Sequence, residues 1–510
     1  MMSDRVPIAP ETPNRRALIL PGGGMRVAWQ AGALKALHEA GLRFSFADGA
    51  SGGTMNLAAL LGGATPDQLC ARWRTLNVQR FVSLRPLGAY LRFPATGALG
   101  DFDGIENHVF PHLGIDAAAV RAATGIAAGF NVCDFDGKIA VSLPHGDIRH
   151  EHLLAAISLP MATPPVRQGG RTWTDSVWIR DSNLLGAVTA GANELWVLWC
   201  IGNTPTFRPG LLEQYVHMIE MAALGHLHRE FAEIARLNER IAAGERPYGH
   251  EAPITVHLVK PDKPIPLDPD FLLGKVDAAT LVSYGYRDAT RYLAARSAEG
   301  VPLSPRSSRM EDIGEGVSFR EVMTGRITLG ETDPVRGAAS DAAFPVSLHG
   351  TIDIDDIHAF TRHPQHRAAL AGHLEIQRLG GWFPATRGNF GLFSPTGDPA
   401  LTHMVYEMAV SIGGRPMWFK GRKHVRIAGP WALWPATTTL YVTLHDGADD
   451  NAPVIGAGIL RLGIPALISL LATLHATGCD HWWAKLRAKA RFLRFFAGQL
   501  IRTYLLRRRL

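Results

Sequence analysis

The hydrophobic and polar positions of this chain follow two different patterns, one on each side of about residue 300. Before Arg296, short β-rich runs alternate with longer helical patterns. The runs are "ALIL" at 17–20, "FSFAD" at 44–48, "IAAGFNVCDF" at 126–135, "ELWVLWCIG" at 194–202 and "ITVHLVKP" at 254–261. This alternation predicts an α/β layer built on a largely parallel sheet.

The later pattern is rich in strands. Residues 297–316, "SAEGVPLSPRSSRMEDIGEG", have the composition of a linker. Beyond them, "HMVYEMAVSI" at 403–412, "TTTLYVTLHDG" at 437–447 and "VIGAGILRL" at 454–462 are strand patterns separated by turn signals. We therefore expect a flexible tail at 1–13, an α/β domain at 14–296, a linker at 297–316, a β-rich accessory domain at 317–478 and a basic amphipathic helix at 479–510.

Composition adds a charge argument to this outline. The chain has 510 residues, too many for one ordinary core, and a net charge of +6 that favours anionic partners. Its last segment, "WWAKLRAKARFLRFFAGQLIRTYLLRRRL" at 482–510, holds nine Lys/Arg and no acidic residue. A basic helix with aromatic side chains is typical of contact with an anionic membrane surface, and a packed terminal helix is the alternative. Because no recognition motif accompanies the charge, we expect no nucleic-acid partner.

Cysteine usage and targeting signals indicate the compartment. The four cysteines are far apart and form no C-x-x-C pair, so neither a zinc site nor a disulfide framework is expected. The start of the chain has no apolar signal-peptide core, and the apolar stretch at 464–476 is too short to span a bilayer. We expect a cytoplasmic protein that can contact membranes at their surface.

A glycine-rich loop follows the first strand. "ALIL" runs directly into "PGGGMR" at 21–26, and a helical pattern follows. Such a loop points backbone N–H groups at an anion, which can be a phosphate or the oxyanion of acyl transfer. A dinucleotide fingerprint would need a third glycine where Val27 stands, which counts against that interpretation, and a plain structural turn remains open.

The pentapeptide "GASGG" at 49–53 follows the second strand. It matches the G-x-S-x-G elbow, which exposes a catalytic serine at a tight turn from a strand to a helix, and the helical "TMNLAALLGG" comes next. An α/β-hydrolase would place this elbow after several strands and would use a later histidine. Only two strands precede Ser51, which argues against that fold.

Together these motifs resemble the patatin-like phospholipase family over residues 15–295. The stretch "AAISLPMATPPVRQGGRTWTDSV" at 155–177 is similar to the family segment that ends at a catalytic aspartate, and "SYGYRDA" at 283–289 is similar to its last helix. The resemblance implies a three-layer α/β/α domain that hydrolyses a lipid or fatty-acyl ester without a cofactor or metal. The implied roles are catalytic for Ser51 and Asp175, oxyanion hole for Gly22, Gly23 and Gly24, loop bracing or phosphate contact for Arg26, and nucleophile elbow for Gly49 and Gly53.

The chain departs from the family pattern beside the expected site. The usual D-G-G or D-G-A reads Asp175-Ser176-Val177, and Val27 replaces a loop glycine. Asp181 is a rival base at a position where the family usually has asparagine. These departures keep open an alternative function, a non-catalytic lipid-binding or scaffolding protein.

Two further expectations concern the surroundings of the site. His217, His226 and His228 are expected to be surface or packing residues, and their long helix, together with segment 82–93, is expected to cover the acyl pocket. Residues 317–475 resemble the accessory region of large cholesterol-oxidase-like GMC oxidoreductases without the flavin-binding part. That likeness implies a lipid or sterol setting, and a domain for stability or partner docking is the alternative.

Overall fold

The computed structural model describes residues 15–81, 83–91, 97–202, 205–207, 209–265, 276–311, 313–479 and 481–506. The expected tail at 1–13, part of segment 82–93 and residues 507–510 lie outside this set. The chain forms two compact units, and the division follows Glu311, within the expected linker. Met310, near the end of that linker, is buried in the core of the first unit.

The first unit contains one sheet and a set of helices. The strands are β1 (Arg16–Leu20), β2 (Phe46–Ala50), β3 (Ala127–Asp134), β4 (Ile139–Pro144), β5 (Val166–Gln168), β6 (Arg171–Asp175), β7 (Glu194–Leu198) and β8 (Thr255–Val259). The described α-helices are α1 (Ala28–Glu39), α2 (Gly53–Leu61), α3 (Pro66–Thr75), α4 (Leu87–Tyr90), α5 (Phe110–Leu113), α6 (Ala117–Arg121), α7 (His150–Ala156), α8 (Leu184–Thr189), α9 (Leu211–Ala242) and α10 (Ala278–Ala295).

The sheet has the order β5-β6-β3-β2-β1-β7-β8, and β4 pairs with β3 off this path. Strands β3, β2, β1, β7 and β8 are parallel, whereas β4, β5 and β6 join antiparallel. The predicted largely parallel sheet is confirmed. Because β2 and β7 flank β1 on opposite sides, the chain reverses its winding at β1, and ligands of open α/β sheets bind at the carboxyl ends of strands at such a point.

Both faces of β1 are covered. Ala17 and Ile19 are buried in a core with α8 and α9, and the alternating side chains of Leu18 and Leu20 are buried as well. Helices α1 and α10 pack very closely. A Cβ atom on Gly32 would lie 1.9 Å from the Val282 carbonyl oxygen, so glycine is required where these two backbones meet.

The second unit contains mostly long antiparallel strands, four short helices and one long helix, α15, among its described residues. The strands are β9 (Gly316–Leu329), β10 (Phe344–Ile354), β11 (Arg367–Ile376), β12 (Gly381–Pro395), β13 (Leu401–Ile412), β14 (Arg415–Arg426), β15 (Thr439–His445), β16 (Val454–Arg461) and β17 (His475–Thr477). The helices are α11 (Pro334–Ala339), α12 (Ile357–Arg362), α13 (Leu433–Thr438), α14 (Ile464–Thr473) and α15 (Trp482–Tyr504).

Strands β9 to β16 form a closed sheet. Each strand pairs antiparallel with its neighbour in the chain, and β9 pairs with both β10 and β16, which completes the ring. Every strand contributes buried apolar side chains to one core; one from each, in order, is Val317, Phe344, Leu370, Phe383, Met404, Met417, Leu440 and Leu460. The predicted β-rich second part is confirmed.

Helix α15 carries the basic segment and packs against the closed sheet. Phe492 and Tyr504 are buried in the core of that sheet, whereas Trp482, Trp483 and Leu486 are more than half exposed. Large aromatic side chains therefore form part of the buried face of this helix, while other aromatic and aliphatic side chains stay in solvent. Among the helices that the structure describes, none combines the length and the apolar character needed to cross a bilayer.

Candidate active site

Ser51 lies at the turn between β2 and α2 and adopts a strained backbone. Its φ of +46° is in the left-handed region, which a non-glycine residue rarely adopts. The two residues after Ser51 must be glycine, because neighbouring backbone atoms leave no room for a side chain. A Cβ atom on Gly53 would lie 2.0 Å from the Leu20 carbonyl oxygen, and one on Gly52 would lie 2.7 Å from the Gly24 carbonyl oxygen. The turn therefore has the geometry of a nucleophile elbow.

The glycine loop after β1 lies directly against Ser51. A Cβ atom on Gly22 would approach the Ser51 Cβ to 2.5 Å and its Oγ to 3.0 Å. Gly23 and Gly24 have φ of +152° and +59°, values that favour glycine. The sequence motifs at 21–26 and 49–53 thus meet at one place, at the carboxyl ends of β1 and β2.

Hydrogen bonds from buried side chains hold the loop. The Arg26 Nε donates to the Gly23 carbonyl at 3.1 Å. The Gln30 side chain donates to the carbonyls of Pro21 at 2.7 Å and Leu198 at 3.1 Å, which ties the loop to β7. The Arg26 Nη1 is buried and has no hydrogen-bond partner among the described residues.

Asp175 ends β6 and faces Ser51. Its Oδ1 accepts a hydrogen bond from the Val177 amide at 2.9 Å, and its Oδ2 has no partner with good hydrogen-bond geometry among the described residues. Burial raises the pKa of Asp175 to about 7, and the nearby Ser51 hydroxyl and the Val177 amide oppose that rise. No histidine is among the groups that shift this pKa.

Asp181 also lies against the glycine loop, where a Cβ atom on Gly22 would approach its Oδ1 to 2.7 Å. The Gly22 amide donates to its two carboxylate oxygens at 3.0 and 3.1 Å. Burial, reinforced by the neighbouring Asp175, raises the pKa of Asp181 to about 8. The two carboxyl groups are therefore electrostatically coupled, and the Gly22 amide is engaged by a carboxylate.

The two departures from the family pattern are accommodated by burial. Val177 is 1% exposed and packs in the core with α8 and α9, while its amide holds Asp175. Val27 is fully buried, and a Cβ atom on Gly52 would lie 2.9 Å from its Cγ1. Each valine side chain points into packed structure.

A second group of buried polar residues supports the elbow, and the sequence analysis did not single it out. Asp48 precedes the elbow and accepts hydrogen bonds from Asn131 at 2.5 Å and Asn183 at 3.1 Å. Asn131 also donates to the Gly49 carbonyl at 3.2 Å. Burial raises the pKa of Asp48 to about 7. For two members the available signal was a polar residue inside an apolar strand, Asp48 in β2 and Asn131 in β3.

Helix α9 places Tyr215 near Asp175. The Tyr215 hydroxyl donates to the Pro160 carbonyl at 2.6 Å, and its pKa is raised to about 12 by burial and by Asp175. The histidines of α9 have other neighbours. His217 stacks on Phe207, and His228 bonds to the Ser308 hydroxyl at 2.9 Å.

Exposed apolar side chains, here together called the apolar rim, lie on α9 and on several other segments of the first unit. The Leu99 amide donates to the Met161 carbonyl at 2.8 Å, and the Tyr90 hydroxyl donates to the Leu99 carbonyl at 2.7 Å. Pro160, the partner of Tyr215, is adjacent to Met161. The rim consists of side chains that are 47–89% exposed: Leu84, Leu87, Leu91, Leu99, Met161, Phe207, Leu211, Met218 and Met221.

A comparison with protein families gives a match within the first unit. The family model described as "Patatin-like phospholipase" matches residues 18–188. The chain carries a patatin-like phospholipase domain. The match spans the glycine loop, the Ser51 elbow and Asp175. The likeness of residues 317–475 to GMC oxidoreductases has no support from these comparisons and stays a prediction.

Comparisons with individual proteins add less. The solved structure titled "Crystal structure of VipD from Legionella pneumophila" is 12% identical over 56% of this chain and 67% of that chain, with a TM-score of 0.30. A likeness at that level gives no residue correspondence. Among curated proteins, none matches this chain significantly.

Proposed function

We propose that the protein is a serine lipid acyl hydrolase, a phospholipase or esterase, that uses a dyad of Ser51 and Asp175. The family match supports lipid acyl hydrolysis in general. The observation that carries the finer proposal is the pairing of a serine at φ +46° with a buried aspartate whose pKa is raised to about 7. A carboxylate of ordinary acidity is a weak base for a hydroxyl, and this shift makes Asp175 a better one near neutral pH.

The reaction proceeds in two halves. In the first, Ser51 Oγ attacks the ester carbonyl carbon while its proton passes to Asp175, and the tetrahedral intermediate then expels the alcohol, which takes that proton. In the second, water attacks the acyl-serine, again giving a proton to Asp175, and the fatty acid leaves as Ser51 recovers the proton. No histidine is needed between the two groups.

The glycine loop is proposed to stabilise the oxyanion in both halves. The amides of Gly23 and Gly24 are the preferred donors because the Gly22 amide already bonds to Asp181. Gly22 would join them only if that bond opened. Donors of this kind contribute about 3–4 kcal/mol in a transition state. The hydrogen bond from Arg26 to the Gly23 carbonyl favours a bracing role for Arg26.

The apolar rim is proposed to receive the acyl chain. Its side chains are exposed, and its loops are bonded to Tyr215, whose pKa responds to Asp175. Exposed apolar side chains on the domain that holds a buried serine–aspartate pair fit an apolar substrate. The substrate class is therefore a lipid or fatty-acyl ester.

Contact with an anionic membrane is proposed for residues 482–510. In the described part of this segment, Trp482 and Trp483 are more than 60% exposed, and basic side chains accompany them along α15. Interfacial helices combine exposed aromatic side chains with basic groups near anionic lipid. We propose a cytoplasmic protein that binds membranes peripherally.

The competing function is a non-catalytic lipid-binding or scaffolding protein. One observation favours it: a carboxylate engages the amide of Gly22, one of the three expected oxyanion donors. A fluorophosphonate probe separates the two functions because it labels a serine only where an activated nucleophile and an oxyanion site coexist. We expect labelling of the wild-type protein, mapped by mass spectrometry to Ser51, and none in S51A. An unlabelled, folded wild-type protein would favour the scaffold.

A further inference from the structure

Two histidines and a glutamate meet on the closed sheet of the second unit. His349 on β10 and His373 on β11 are directly opposite each other in register, and their rings stack with centroids 4.6 Å apart. Glu375 lies two residues beyond His373, on the same face of the strand. Their ligand atoms all lie within 4.8 Å of one another.

The nitrogen–oxygen separations within this cluster are longer than ordinary hydrogen bonds. The His349 Nε2 lies 3.5 Å from one Glu375 oxygen, and the His373 Nε2 lies 3.9 Å from the other. Hydrogen bonds between nitrogen and oxygen are usually about 2.7–3.2 Å long. Ligand atoms bound tetrahedrally to zinc at about 2.0–2.1 Å lie roughly 3.3 Å apart. Because an imidazole binds a metal ion in the plane of its ring, the two stacked rings must also tilt towards each other to bind one ion.

We propose that His349, His373 and Glu375 form a binding site for one Zn²⁺ ion, separate from the Ser51 site. Two imidazoles and one carboxylate are a ligand set typical of zinc and unlike the all-oxygen sets that Mg²⁺ and Ca²⁺ prefer. The His373 side chain is only 4% exposed, whereas His349 and Glu375 are about one third exposed. The buried His373 fixes the position of the site. The exposed side, formed by His349 and Glu375, lets the ion enter together with a water molecule as the fourth ligand.

Zinc binding to the full-length protein, stripped beforehand with a chelator, tests this site. We expect isothermal titration calorimetry with Zn²⁺ to give one tight site in the wild-type protein. H349A and E375Q should each weaken it by at least about 10- to 100-fold, because each removes one of three ligands. These two side chains are partly exposed, so the variants should fold without metal, which circular dichroism verifies.

His403 provides a matched control. It lies directly opposite His424 on β13 and β14, with ring centroids 4.8 Å apart, but among the described residues no carboxylate completes a third ligand there. H403A should therefore bind Zn²⁺ as the wild type does, and Zn²⁺ should raise the melting temperature of both proteins but not that of H349A. Mg²⁺ should have no such effect. Equal Zn²⁺ affinity in the wild type, H349A and E375Q, or no tight site in the wild type, would overturn the proposal.

Discussion

Ser51 holds a backbone conformation that costs about 1–3 kcal/mol for a non-glycine residue. The surrounding contacts maintain it, since Gly52 and Gly53 are packed so closely that no side chain fits at either position. Strain retained in this way at a serine beside a buried aspartate is typical of a catalytic elbow.

The buried carboxyls lead to a prediction for the pH profile. Asp175 must be ionised to act as a base, and its pKa is raised to about 7. The rate of ester hydrolysis should therefore rise between about pH 6 and pH 8 and level off above that range. The pKa of Asp181 is higher, about 8, so Asp181 is mostly uncharged while Asp175 titrates, and D181N should leave the position of this rise nearly unchanged. A flat profile from pH 5 to pH 9 would contradict the assignment of Asp175 as the base.

The raised pKa of Asp181 also makes the stability of the folded protein depend on pH. The folded protein retains a proton on Asp181 up to about pH 8, whereas the unfolded chain releases it near pH 4, so this group lowers the free energy of unfolding as pH rises between those values. D181N should raise the melting temperature at pH 8 by about 2–4 °C, equivalent to about 1 kcal/mol, and by less at pH 5. Differential scanning calorimetry at both values checks the sign, and a larger gain at pH 5 would contradict it.

The site could be predicted from sequence only where its chemistry lies in local motifs. The glycine loop, the Ser51 elbow and the Asp175 segment each have a short signature. The bond from Gly22 to Asp181 joins residues 159 positions apart, and local patterns give no information on such a contact. The buried group of Asp48, Asn131 and Asn183 was missed for the same reason, because each member is an ordinary polar residue until the sheet assembles.

Among the strands and helices, too, some were predicted from local patterns and others were not. The parallel strands of the first unit were predicted because they are short, apolar and followed by helical patterns. Strands β9 to β12 and β14 were not singled out as strands, and in β11 and β12 β-bulges break the alternation of buried and outward-facing side chains. Along α15 aromatic side chains form part of the buried face, since the large rings of Phe492 and Phe496 fill space beside the closed sheet.

Helix α15 allows packing and membrane contact to be tested separately. F492A removes a side chain buried against Phe319 and should lower the free energy of unfolding by about 3–5 kcal/mol. The double variant W482A/W483A should leave stability nearly unchanged but weaken binding to anionic vesicles, with neutral vesicles less affected. Vesicle co-sedimentation and calorimetry distinguish the outcomes. Unchanged vesicle binding in the double variant would refute the interfacial role.

Considered as a whole, the molecule combines two units with different interiors. The candidate catalytic groups belong to the first unit, whereas the core of the second contains a buried ion pair. Lys423 Nζ lies 2.5 Å from Glu321, which also accepts a hydrogen bond from the Tyr406 hydroxyl at 2.6 Å. Both charged side chains are 3% exposed. The sequence gives no sign of this pair, because its members are 102 residues apart.

This pair leads to a stability prediction for the second unit. K423M leaves the Glu321 carboxylate buried without its cation and should cost about 3–5 kcal/mol. The double variant E321Q/K423M removes both charges and should recover much of that loss, since paired charges and apolar or neutral replacements of similar volume are often nearly equivalent. Urea denaturation of the three proteins checks the order, and a double variant less stable than K423M would contradict the account.

The most direct test of the proposed dyad is the steady-state rate of hydrolysis of a short-chain soluble ester by the wild type, S51A, D175N and D181N. A soluble ester removes any contribution from membrane binding. We expect S51A and D175N to lose about 1000-fold or more in kcat, because each removes one member of a dyad that acts as a unit, and D181N to retain most of the activity. Equal rates for the wild type and S51A, with both proteins folded, would show that Ser51 is not the nucleophile.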